Sequence, residues 1–295
     1  MEVNLVENLF QYKKSVALFS AYQLGLFEVI KEKGGLNADI CKEYGWNINF
    51  VNILCRYLSD MGYLINNTEN WVLDKKFEKE FKNFTKLCAY ENNLYYKWLT
   101  PEQIADTIRS KTKERIFDKT GFHEGEQEDY NRIIYGENMK LIAFQIIRHL
   151  KGKKDIRCLE YGKSNGRMGN ILKKYIPNIA ADRLSETESI TAECKLDGIF
   201  IINTIHYKTQ EQLLELLKKA KTLLLENGFI MIADIFYETG TVFQETVLMD
   251  WLTHGGIYNI TKAEVDAVIK EIGFNHIEKQ QIPSISMELF FIYKE

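Results

Sequence analysis

Disulfide patterns, proline, charge excess and long apolar runs are all scarce in this chain, and each shortage excludes something. The five cysteines (Cys41, Cys55, Cys88, Cys158, Cys194) are odd in number, widely spaced, and form no C-x-x-C or C-x-x-H arrangement, which argues against a disulfide framework and a zinc knuckle. They read as reduced, buried thiols. Only three prolines occur (Pro101, Pro177, Pro283), with no low-complexity linker or repeat, so a domain boundary has to be sought in a change of periodicity. No apolar run approaches membrane-spanning length, and the opening MEVNLVENLFQYKKSV begins with an acid and lacks an uninterrupted apolar region; a soluble, cytoplasmic protein is expected. Lys plus Arg number 38 against 41 acidic residues, so no net basic field draws the chain to nucleic acid or an anionic membrane. A small neutral or mixed-charge partner is the expectation. Metal-ligand clusters and a G-x-x-x-x-G-K-[ST] loop are also missing from the sequence.

What is present divides near Lys151. A chain of 295 residues suggests two domains more readily than one. Before Lys151 the stretches SVALFSAYQLGLFEVIKE, NADICKEYG and NINFVNILCRYLSDMGYLI carry apolar residues three and four apart, a helical period. YLINNTENWVLD then reads as two short strands around Asn66, Asn67 and Asn70,. Three helices and a small hairpin make a winged-helix module.

After Lys151 strands and helices alternate: IRCLEY, a helix from about Asn165 to Tyr175, GIFIIN, a long helix, FIMIADIF, more helix, then NHIEKQQI and SMELFFIY. That alternation implies a mostly parallel sheet covered on both faces. The helix from Gln210 to Leu225 is marked by Thr209 and Gln212 at capping-box spacing, by a Leu213, Leu216, Leu217, Ala220, Leu224 stripe and by Gly228 just past its end,. The last two strands should pair antiparallel. Ligands of open α/β sheets bind outside the carboxyl ends of the strands, which singles out Glu160, Gly162, Ser164 and Gly166 after the first run, His206 after GIFIIN, and Asp234 within FIMIADIF.

With those residues in hand, the chain resembles the small-molecule O-methyltransferases that join a winged-helix dimerisation domain to a class I S-adenosylmethionine domain. The likeness runs through Leu24-Gly25-Leu26-Phe27, through GENMKLIAFQII and through DWLTHGGIYNITKAEVDAVIKEIGF. It implies an α/β, Rossmann-like class I methyltransferase domain over 151–295, preceded by an α-rich winged-helix dimerisation domain over 1–85 and by connector and substrate-pocket helices over 86–150. It also implies a homodimer through the N-terminal helices and S-adenosylmethionine as cofactor. His206 falls where the family keeps its general base, with Tyr207 and Lys208 in place of the usual acidic and aromatic followers. Asp234 falls where an acid orients that histidine, whereas the second acid of the family's late segment is absent, Tyr258 standing nearest its place. Glu160, Gly162, Ser164, Gly166, Asp182 and Asn203 fall on the cofactor side. Tyr130, Met139, Met249 and Trp251, with Tyr135 and Phe144, are candidates for a substrate pocket; aromatic and Met residues at helical spacing also suit plain core.

The glycine loop departs from the family's acid followed by G-x-G-x-G. Ser164 adds a side chain where bare backbone meets ligand, and Lys163, unless it points to solvent, brings positive charge toward a sulfonium. Between Pro177 and Gly198 the chain is too short for the usual strand, helix and strand, so one strand-helix portion is lost or reduced. NIAAD can still form the second strand, ending at Asp182, where the family holds the ribose. Three functions follow. The first is an S-adenosylmethionine-dependent O-methyltransferase acting on a hydroxyl of a small aromatic or secondary-metabolite substrate, with His206 as base. The second is an enzyme of the same scaffold that has given up the cofactor. The third is a non-catalytic dimeric partner or a DNA binder; the last is poorly served by NINFVNILCRYLSDMG, whose one cation is Arg56,.

Overall fold

The computed structural model describes residues 5–67, 70–97, 105, 109, 126–162, 166–184, 190, 194–236, 260–282 and 287–294, those of 5–10, 92–97 and 126–137 for the backbone alone. The chain divides into two compact units, Met1–Lys97 with Gly121–Ile133, and Trp98–Thr120 with Ile134–Glu295.

The first unit runs α1 (Leu5–Gln23), α2 (Leu26–Lys33), α3 (Ala38–Glu43), α4 (Ile48–Asp60), a hairpin of β1 (Leu64–Asn66) and β2 (Trp71–Leu73), and α5 (Lys75–Lys97). Asn37 and Asn47 start α3 and α4 by accepting backbone N–H groups two and three residues on, the capping chemistry that short polar side chains supply. The hairpin pairs antiparallel with Leu64 opposite Leu73, and Trp71 Nε1 donates to Asn52 Oδ1 at 3.0 Å, tying this wing to α4. Phe27, Leu58, Leu64, Trp71 and Phe77 meet in a core of the unit's own. The winged-helix expectation therefore holds, with four helices before the wing.

The second unit holds the rest of α6 (Glu126–Leu150), then β3 (Arg157–Tyr161), α7 (Arg167–Leu172), β4 (Ala180–Leu184), β5 (Leu196–Ile202), a 3-10 turn (Ile205–Tyr207), α8 (Gln210–Leu223), β6 (Leu224–Ile235), α9 (Lys262–Glu271), β7 (His276–Ile282) and β8 (Met287–Tyr293). The strands order as β4-β3-β5-β6-β8-β7. The first four are parallel, and β8 runs antiparallel to both of its neighbours. Side-chain alternation splits β6 between two cores: Phe229, Met231 and Ala233 face α6 and α7, while Ile230 and Ile232 face α8 and α9. Burial on both sides is what the unbroken apolar runs encode.

Three sequence boundaries move. Helix α8 stops at Leu223 and β6 begins at once with Leu224, so Gly228 is no helix terminator. It sits inside β6 at a register shift, where a Cβ would come within 2.9 Å of the Leu225 carbonyl and 3.0 Å of the Leu196 carbonyl. Helix α7 spans six residues instead of eleven, and β4 runs two residues beyond Asp182. Only residues 185–195 separate β4 from β5, and among the described residues no strand lies outside β4, which agrees with the shortened segment.

At the sheet end remote from these loops, the last turn of α6 is tied to β8. His149 stacks on Phe291 with centroids 3.9 Å apart, and its Nδ1 lies 2.5 Å from the Tyr293 hydroxyl. Burial lowers the pKa of His149 and raises that of Tyr293. Burial likewise pushes Cys55 and Cys88 up to about 12 and Cys158 higher still, leaving these thiols protonated and inert. No described helix is long and apolar enough to cross a membrane.

Candidate functional site

The site is built at the carboxyl ends of β5 and β6. Asn203 closes β5 in a left-handed conformation (φ 49), and its N–H donates to the Ala233 carbonyl at 2.9 Å, so the chain turns across the end of β6. That turn aims three successive N–H groups at one carboxylate. Thr204, Ile205 and His206 donate to Asp234 Oδ2 at 3.0, 2.9 and 3.4 Å. On the other oxygen, Ile235 N–H donates to Oδ1 at 2.9 Å and His206 Nδ1 lies 2.7 Å away. Asp234 is 1% exposed and His206 4%. A buried carboxylate is tolerable only when its lone pairs are engaged, and here five donors engage them. With Nδ1 donating, the neutral imidazole carries its lone pair on Nε2. The ring packs against Tyr207 at a centroid distance of 4.1 Å.

Glu160 stands apart from this pair. In register it lies level with Phe200 and Met231, three residues short of Asp234 and so roughly 10 Å lower along the strands, and it faces the opposite side of the sheet. Its carboxylate accepts the N–H of Met168 at 3.3 Å and of Gly169 at 2.9 Å, fastening α7 to β3. The imidazole and one carboxylate meet; the second carboxylate does not join them.

The glycine turn between β3 and α7 is partly described. Gly162 has φ 117, and a Cβ there would lie 1.9 Å from Thr204 Oγ1, so the missing side chain lets the ends of β3 and β5 close together. Gly166, at φ 73, starts α7, with the Arg183 side chain passing 3.4 Å from where its Cβ would be. Ser164 and Lys163 lie outside the described residues. Asp182 is exposed and paired with Leu159 in mid-strand, not at the strand's end. Among the described residues, β4 ends in Arg183 and Leu184, with no carboxylate at its end.

Of the substrate candidates, Met139 is packed in the core beside Ile142 and Ala143, and the half-exposed Phe144 lies against Tyr175 at 5.3 Å. Tyr130 and Tyr135 are on α6 with only their backbone described, and Met249, Trp251 and Tyr258 lie outside the described residues. Sequence reading missed Glu288. It is the direct cross-strand partner of Asp234, held by Lys262 at 2.9 Å; only the antiparallel register reveals it. No group among the described residues is arranged to hold a metal ion.

The chain is thus a helical unit with a wing followed by a Rossmann-like sheet that carries a buried His–Asp pair at its strand ends. The comparisons agree. Residues 6–88 match the O-methyltransferase dimerisation domain. An O-methyltransferase family protein from Burkholderia thailandensis superposes with a TM-score of 0.81 at 12% identity, covering 100% of this chain and 99% of its own. The human N-acetylserotonin methyltransferase in complex with S-adenosylmethionine gives 0.68 at 14% identity, with coverages of 99% and 98%. The N,N-8-amino-8-demethyl-D-riboflavin dimethyltransferase of Streptomyces davawensis gives 0.71 at 12% identity, with coverages of 99% and 100%. No curated protein matches in sequence. At such identities the likeness shows the fold.

Proposed function

We propose that the chain is an S-adenosylmethionine-dependent O-methyltransferase that acts on a hydroxyl of a small, aromatic or secondary-metabolite-like substrate and works as a homodimer. The observation that carries this reading is the buried His206 Nδ1–Asp234 Oδ1 contact of 2.7 Å at neighbouring parallel strand ends. Asp234 fixes the tautomer, so Nε2 is the nitrogen that takes the proton of a substrate hydroxyl; the resulting imidazolium keeps its Nδ1–H on the carboxylate. The cofactor supplies the electrophilic methyl group, with the turn from Gly162 to Gly166 and the end of β5 at Asn203 as its seat. Tyr130, Met249 and Trp251 enter this reading as secondary candidates.

The test is methyl-donor-dependent turnover on a panel of hydroxylated aromatic compounds, followed by mass spectrometry. His206→Ala should lower the rate by about 10² to 10⁴, the usual worth of a general base, while leaving S-adenosylhomocysteine binding intact. Equal rates in the two proteins would remove His206 from the chemistry. A second reading, that the scaffold has given up the cofactor and serves as a cofactor-independent enzyme or a dimeric non-catalytic partner, is favoured by one observation: β4 is the edge strand among the described residues and carries no carboxylate at its end.

A further inference from the structure

In nucleotide-binding sheets of this kind an acid near the end of the second strand holds ribose hydroxyls, and an arginine in that neighbourhood accommodates a phosphate instead. Here the second strand is β4, and it ends in Arg183 and Leu184. The Leu184 carbonyl accepts the Gly162 N–H at 2.9 Å, so the end of β4 is fastened to the glycine turn. Arg183 stands level with Glu160 and shares its face of the sheet, and its Cδ passes 3.4 Å from where a Gly166 Cβ would lie. The exposed arginine therefore brings its guanidinium to the turn, close in sequence to the half-buried Arg167 that follows Gly166. At the end of β3, Lys208 Nζ stands 5.9 Å from the centre of the Tyr161 ring. The nearby carboxylates are engaged or turned away: Glu160 accepts the N–H groups of Met168 and Gly169, and Asp182, one residue before Arg183, points to the other face. Among the described residues the ends of β3 and β4 are thus bordered by Arg167, Arg183 and Lys208, a set that attracts an anion and repels a cation.

We propose that the end of β4 is a binding site for a nucleotide that carries a phosphate on its ribose, with Arg183 as the partner of that phosphate. A guanidinium offers a planar fork of N–H donors that two phosphate oxygens accept together, whereas the ribose diol of S-adenosylmethionine calls for a carboxylate that this strand end does not present. The proposal goes beyond the methyltransferase reading: it concerns which ligand the strand end selects, whatever chemistry His206 performs.

The test is calorimetric titration of the full chain at low ionic strength, where exposed charges are least screened, with adenosine, adenosine 2′-monophosphate, adenosine 3′-monophosphate, inorganic phosphate and S-adenosylhomocysteine. One of the two monophosphates should bind about tenfold or more tighter than adenosine, the worth of a charge-assisted hydrogen-bonded pair, and tighter than inorganic phosphate. Arg183→Gln should abolish that preference while leaving the affinity for adenosine and the melting temperature unchanged, and Arg183→Lys, which keeps the charge and loses the fork, should restore part of it. Should Arg183→Gln lower the melting temperature, the comparison of wild type with Arg183→Lys decides, an equal preference in the two counting against the guanidinium. Adenosine and its monophosphates binding alike, or none of them binding, overturns the proposal; inorganic phosphate binding as tightly as the monophosphates overturns the nucleotide and leaves a free-phosphate site. Binding of S-adenosylhomocysteine that neither monophosphate displaces overturns the proposal and leaves the methyltransferase reading standing. A monophosphate that binds where S-adenosylhomocysteine does not supports the proposal and removes the methyl donor.

Discussion

Asp234 holds more of the site than any other residue, because it gathers an imidazole and four backbone N–H groups. Asp234→Ala would strand those donors in a dry interior and should cost about 3 kcal/mol or more, read as a lower urea midpoint. Gly162→Ala should also destabilise, by about 1 to 3 kcal/mol, since it forces a left-handed alanine onto the Thr204 hydroxyl; an unchanged midpoint would mean that the β3 and β5 ends do not approach as described. His206 was legible in the sequence as a polar residue just past an apolar strand run, and Asp234 as the one acid inside another, FIMIADIF. Glu160 was legible as a strand-end acid, yet a sequence does not say which face a side chain takes, and its carboxylate turned to α7. Glu288 was hidden altogether, since a cross-strand partner depends on register, which no local pattern specifies.

At the scale of elements, two ties fasten helices to the sheet, and both are open to measurement. The first joins α6 to β8 through His149, whose neighbours Glu278, Arg148, His276 and Tyr293 supply the charged and titratable groups around it. Burial lowers the folded pKa of His149 below the ordinary 6.5. Its contribution to stability is therefore complete above that value and is lost as pH falls through the folded pKa, because the unfolded chain takes up the proton first. Urea midpoints of the wild type should decline below about pH 6.5 more steeply than those of His149→Gln; parallel curves would show that this ring does not govern the dependence. The second tie is Lys262 to Glu288. With Lys262→Met, Glu288 faces Asp234 across the β6–β8 ladder without its cation, and a loss of about 1 kcal/mol is expected, most of it recovered when Glu288→Gln is added. Element types were legible from periodicity, and the start of α8 from its capping box at Thr209 and Gln212. Its end was not: LLLENG suits a helix and a strand equally, and packing against β5 decides for the strand from Leu224 onward.

The whole molecule joins a helical unit with its own aromatic core to a sheet buried on both faces. The His–Asp pair belongs to β5 and β6, whereas in the proposed function the ribose of the cofactor would depend on β4 and the chain that follows it. Use of S-adenosylmethionine is thus the claim on which the proposed activity turns. Calorimetric titration of the full-length protein with S-adenosylhomocysteine tests it most directly. Saturable heat with a dissociation constant well below about 1 mM, unchanged in His206→Ala, is expected; no heat at millimolar ligand in a folded sample would contradict cofactor use and leave the His206–Asp234 pair to a different chemistry.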